Sequence, residues 1–189
     1  MKLSIKKIMA TAMAAAMVLT AAPVVANAAD SKTTATEPAT NKDVEADKSN
    51  AKGVEAVSAN TNTSGKATLT TIEVSNKKAV TVPSKVVIDG VSYTVTKLGA
   101  NVFKGETVKK VTLPSSITSL GSNAFTGVKG LKTIKISATS KVSVSKTAFK
   151  GVSTKSMTIT VTKKMSKKNF KALKAALKKA GFKGTIKQA

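Results

Sequence analysis

Three stretches of this chain align with one another residue by residue. Residues 98–105 read Leu98-Gly99-Ala100-Asn101-Val102-Phe103-Lys104-Gly105. Residues 120–127 read Leu120-Gly121-Ser122-Asn123-Ala124-Phe125-Thr126-Gly127. Residues 144–151 keep the Ala148-Phe149-Lys150-Gly151 half but carry Ser145 and Thr147 in place of the early Gly and the Asn. The three phenylalanines therefore recur in steps of 22 and 24 residues. After each comes an alternating apolar run: Val108, Val111 and Leu113, then Leu131, Ile134 and Ile136, then Met157, Ile159 and Val161. Period-two spacing of β-branched residues predicts short strands. A unit of about 23 residues cannot bury its own apolar face, so successive units must stack and share one interior. Phe103, Phe125 and Phe149 are then expected as a core ladder, with Gly99, Gly121, Gly105, Gly127 and Gly151 where the backbone must turn tightly or adopt positive φ.

The strand pattern and the G-x-N-A-F-x-G element resemble the BspA-like leucine-rich repeats of bacterial surface proteins over about residues 67–189. The consensus of that family runs roughly I-G-x-x-A-F-x-G-C-x-x-L-x-x-I-x-I-P. This chain departs from it with Val128 and Val152 where the family often has Cys. The resemblance implies an α/β repeat, a short leucine-rich-repeat β-solenoid over residues 98–161, and a surface location. It implies adhesion only loosely, because members of the family bind different things.

A stack of coils needs both of its ends covered. In residues 67–97, two alternating runs flank Asp89-Gly90, a strong hairpin signal, so Asp89 reads as a turn residue and the region as an N-terminal β-hairpin cap. In residues 162–189, Ser166 can N-cap a helix from Lys167 to Ala180, with Gly181 and Phe182 at the positions that stop one. Phe170, Leu173, Leu177 and Ala180 form a single apolar stripe, as a C-terminal amphipathic helix cap requires. A basic amphipathic helix lying on an anionic membrane is the alternative use of this segment.

Lys2, Lys6 and Lys7, an uncharged run over residues 8–22, and Ala26-Asn27-Ala28 together predict a secretory signal peptide over residues 1–28, leaving Ala29 first. Residues 29–66 hold six of the nine acids and no aromatic residue, and are expected to be a disordered polar linker. No lipid-anchoring cysteine, no transmembrane anchor in the mature chain and no LPxTG-like sorting sequence are visible. The expected location is secreted, extracellular or loosely attached to the cell wall.

Function must be built without the usual catalytic groups. The chain has no Cys and no His, which removes a thiol nucleophile and the commonest general base and metal ligand. Glu73, Asp89 and Glu106 are the only acids after residue 66, and they fall in different elements. No catalytic residue, metal site or cofactor is predicted, and the chain is read as non-enzymatic. All 32 basic residues are lysine, 24 of them after residue 66. Lysine is a mobile, strongly hydrated point charge rather than a bidentate fork, so it attracts polyanions diffusely.

The alignment predicts two outward columns on the stacked strands. One is Lys110, Thr133 and Thr158; the other is Thr112, Lys135 and Thr160. This Thr/Lys face is the expected binding surface for a protein or glycan ligand. The alternative is a Lys-rich polyanion binder held electrostatically at anionic cell-wall polymers or acidic glycans. Nucleic acid is disfavoured, since aromatic residues for base stacking are missing.

Overall fold

The computed structural model describes residues 44–45 and 47–189. In chain order the first strands are β1 (Val44–Glu45), β2 (Asp47–Ser49), β3 (Val54–Thr61), β4 (Lys66–Val74), β5 (Ala79–Thr81), β6 (Lys85–Ile88) and β7 (Val91–Leu98). Then follow β8 (Lys110–Leu113), β9 (Ser119–Leu120), β10 (Thr133–Ile136), β11 (Ser143–Val144), β12 (Thr158–Val161), α1 (Lys167–Lys179) and β13 (Thr185–Gln188). The result is a leucine-rich-repeat fold with parallel sheets and one helix.

The alternating runs become the strands of a five-stranded sheet, in the order β13-β12-β10-β8-β5 and parallel throughout. Val111, Ile134 and Ile159 lie side by side on its inner face, as do Leu113, Ile136 and Val161. All six are buried. Truncating one such residue to Ala costs about 2–5 kcal/mol, because the transfer energy and a residual cavity both count. Two of the five strands come from outside the residues 98–161 assigned to the repeats. β5 precedes them and β13 follows α1, so the parallel ladder extends by one strand at each end.

The phenylalanines form the expected row. Phe103 and Phe125 stack with ring centroids 5.5 Å apart, and Phe125 and Phe149 with centroids 5.2 Å apart, both nearly coplanar in orientation. Phe182 continues the row beside Phe149 at 5.3 Å, tilted by 60°. Gly105, Gly127 and Gly151 each adopt positive φ just after their phenylalanine. Gly121 is fixed by proximity instead. Its amide donates to the Leu98 carbonyl at 2.8 Å, and a Cβ there would stand 2.6 Å from that oxygen and 2.8 Å from the Gly99 carbonyl carbon. The third repeat carries Ser145 at this place, donating to the Leu120 carbonyl at a longer 3.0 Å.

A second, eight-stranded mixed sheet runs β1-β3-β4-β7-β6-β2, with β9 and β11 joined through β7. The Asp89-Gly90 dipeptide turns β6 into β7 with φ of 50° and 78°, the positive pair that a tight hairpin needs. Here the structure corrects the expected linker. Residues 54–66 are ordered: β3 pairs antiparallel with β4 and buries Val54, Val57 and Ala59. Composition obscured this because the inward residues are few and small. Their burial depends on β4, which supplies Leu69 and Ile72 beside them. Residues 29–43 and the signal peptide expected over residues 1–28 lie outside the described residues.

The helix starts and stops where its sequence says. Ser166 Oγ accepts from the Asn169 amide at 3.2 Å. At the other end Phe182 N–H donates to the Leu177 carbonyl and Gly181 N–H to the Lys178 carbonyl, both at 3.0 Å, with Gly181 at φ 86°. That pair of bonds is the Schellman stop. Leu173, Leu177, Ala180 and Phe182 are buried and Phe170 is partly so. The apolar stripe is therefore spent on the core.

Candidate functional site

The outer face of the parallel sheet is set by strand register. Lys110 lies beside Thr133, Thr133 beside Thr158, and Thr158 beside Thr185. One step along each strand is inward, and the next outward column runs Thr81, Thr112, Lys135, Thr160, Lys187. All six residues singled out from the sequence thus stand on one face, in the two expected columns. Sequence reasoning missed Thr81, Thr185 and Lys187, because β5 precedes the first repeat phenylalanine and β13 is set apart from the repeats by α1.

Lys110, Lys135 and Lys187 are exposed, while Thr112, Thr133, Thr158 and Thr160 are half-buried between them. Adjacent strands lie about 4.8 Å apart, so Lys135 and Lys187, two strands from one another, are roughly 10 Å apart along the column. A rim of lysines runs beside the columns. The Lys109 amide donates to the Lys77 carbonyl and the Lys132 amide to the Lys109 carbonyl, each at 2.9 Å, which stacks these three exposed residues. No strand of this sheet contains an acid. The strands of this face therefore present ammonium groups and hydroxyls, with no carboxylate and no aromatic side chain of their own.

The acids that remain have structural surroundings. Glu106 Oε2 accepts from the Val74 amide at 3.1 Å, tying β4 to the loop after Phe103. Asp89 occupies the hairpin turn. Among the described residues, no group of three or more His, Cys, Asp or Glu side chains could hold a metal ion.

Repeat stacking, the phenylalanine row and the parallel ladder together describe one repeat family, and residues 91–188 match the BspA type leucine rich repeat region in six copies. The chain belongs to this family. Among solved structures it is similar to a leucine rich cell surface protein from Faecalibacterium prausnitzii A2-165, at 25% identity and a TM-score of 0.46, over 61% of this chain and 33% of that one. It is also similar to a leucine-rich repeat protein from Bacteroides capillosus ATCC 29799, at 22% identity and a TM-score of 0.39, over 61% of this chain and 87% of that one. The chain thus spans about a third of the length of the first of these proteins. No curated protein matches it. Within the BspA-type repeat, Val128 and Val152 take the places where Cys is frequent, and both pack partly buried against the core.

Proposed function

We propose that this BspA-type chain is a non-enzymatic, secreted or cell-surface interaction module that binds a protein or glycan ligand through the Thr/Lys face of its parallel sheet. The carrying observation is the one-to-one register that puts Lys110, Thr133 and Thr158 in one outward column and Thr112, Lys135 and Thr160 in the next. In this reading the coils form a short solenoid. The Asp89-Gly90 hairpin region and the helix with Phe182 cover its two ends. Burial of Leu173, Leu177 and Phe182 supports the covering role of the helix over a membrane role, since most of the stripe is already packed against the core. Among the described residues, no helix is long and apolar enough to cross a membrane.

The acid-free sheet favours a second reading, in which the face holds a linear polyanion of the cell envelope by charge alone. Salt separates the two. Screening lengths shrink from about 10 Å at 0.1 M to about 3 Å at 1 M salt. Fractionating cells into medium, wall and membrane pools, with and without a 1 M salt wash, is the test. Release of the wall-bound chain by salt supports the polyanion reading. Retention through the wash, lost in the Lys110→Gln/Lys135→Gln variant, supports a specific ligand on this face. Recovery of the chain only inside cells would refute both.

A further inference from the structure

The mixed sheet carries a concave site of its own, on residues that the parallel sheet does not use. A cleft of about 480 Å³ lies over β3, β4 and β7, lined by Asn60, Thr61, Lys66, Thr68, Thr96 and Lys97. That volume falls within the range of about 300–1,000 Å³ typical of small-ligand pockets.

Strand register explains why these side chains converge. Asn60 pairs with Thr68, Thr68 with Lys97, and Lys97 with Ser119, which makes one outward row across four strands. The inward row beside it is Ala59, Leu69, Leu98 and Leu120, all buried. The row is not flat, because the β4–β7 ladder skips Thr96 between Ala67↔Val95 and Thr68↔Lys97. Such a bulge bends its strand and re-aims side chains. The carbonyl of Thr96 is taken up by Thr118, whose amide donates to it at 2.8 Å and whose hydroxyl donates at 3.2 Å.

Hydrogen-bonding capacity in this wall is unevenly spent. Asn62 Oδ1 accepts from the amides of Ser64 and Lys66, so Asn62 serves the turn between β3 and β4. Asn60 Oδ1 and Thr61 Oγ1 are different: both are buried without a hydrogen-bond partner among the described residues. An unpaired buried oxygen costs stability, and a half-turn of the Asn60 amide exchanges its acceptor and donor ends. Two lysines, four threonines and the asparagines Asn60 and Asn62 line one space. Its lining contains no carboxylate, no aromatic ring and no aliphatic residue.

We propose that this cleft binds an acidic, hydroxyl-rich carbohydrate, with Lys66 and Lys97 taking its carboxylates and Asn60, Thr68 and Thr96 its hydroxyl groups. A peptide would find no pocket for an apolar anchor. A cation would meet only like charge. A neutral sugar would leave both ammonium groups unanswered. The site is independent of the Thr/Lys face, which lies on the other sheet.

Calorimetric titration of the full chain with trigalacturonate, neutral galactotriose and triglutamate tests the proposal. Trigalacturonate is expected to bind at least tenfold more tightly than either control. The Lys66→Gln/Lys97→Gln variant should lose tenfold or more, and Thr68→Val several-fold. Lys171→Gln/Lys174→Gln, at exposed positions of α1, should leave the titration unchanged. Because Lys66 and Lys97 are exposed, their substitution leaves the core intact. Absence of saturable trigalacturonate binding would overturn the assignment. So would equal binding of triglutamate, an unchanged titration in the Lys66/Lys97 variant, or an equal loss in the Lys171/Lys174 variant.

Discussion

The two sheets differ in regularity, and the difference separates two kinds of surface. Within the parallel sheet the registers run without a shift, and every strand is four residues long except β5, which has three. Such a ladder repeats its outward residues from strand to strand, giving straight columns. The mixed sheet breaks register at Glu55, at Thr70 and at Thr96, and joins parallel and antiparallel neighbours. Its irregularity makes a concavity. Regular stacking multiplies a single contact, whereas bulges gather unlike side chains around one point.

The comparison breaks most severely if β3 is dispensable. Removing residues 1–61 strips β4 of its antiparallel partner and takes Val54, Val57 and Ala59 from beside Leu69 and Ile72, so the melting temperature should fall further than for any single substitution below. A truncated chain that melts at the full-length temperature would mean that the mixed sheet begins at β4. Next in size is Phe125→Ala, which removes the middle ring between Phe103 and Phe149. A loss of about 3–5 kcal/mol is expected in denaturant unfolding, as for other buried phenylalanines. A loss below about 1 kcal/mol would show that the row is not what holds the coils together.

Gly121→Ala probes the close approach of the chain just after β9 to the chain just after β7. Its Cβ meets backbone that cannot swing away, so a cost of about 1–3 kcal/mol is expected, typical of overpacking. Ala at Gly130, where a Cβ would meet nothing within 4 Å but φ is 74°, separates the cost of crowding from that of backbone conformation. The smallest effect belongs to Lys110→Gln/Lys135→Gln. Exposed substitutions of this kind usually stay within about 0.5 kcal/mol, so its melting curve should nearly overlay the parent's. The same variant should flatten the salt dependence of binding to a linear polyanion; an unchanged salt slope would remove the face from that role.

Much of the parallel sheet was legible along the chain. The spacing of Phe103, Phe125 and Phe149 and the alternation after each give both the strands and the columns of Lys110, Thr112, Thr133, Lys135, Thr158 and Thr160. Asp89-Gly90 marks the β6–β7 hairpin of the mixed sheet, and Ser166 and Gly181 mark the helix ends, because those conformations are decided by a few neighbouring residues. The cleft was not legible. Asn60 and Lys66 sit in a segment whose composition reads as linker, and Thr96 becomes unusual only once β7 is paired with β4, whose ladder passes over it.

Local chemistry, read from the order of residues, settled the coil length, the ring ladder, the turn types and the absence of thiol or imidazole chemistry. Long-range pairing settled the rest: that Val54, Val57 and Ala59 are interior, that β5 and β13 extend the ladder, and that Asn60, Thr68 and Lys97 share a row. The physical reason is that a strand has no partner within itself. Which of its faces is buried, and what stands beside each side chain, is fixed only when another strand, often tens of residues away, supplies the opposing hydrogen bonds.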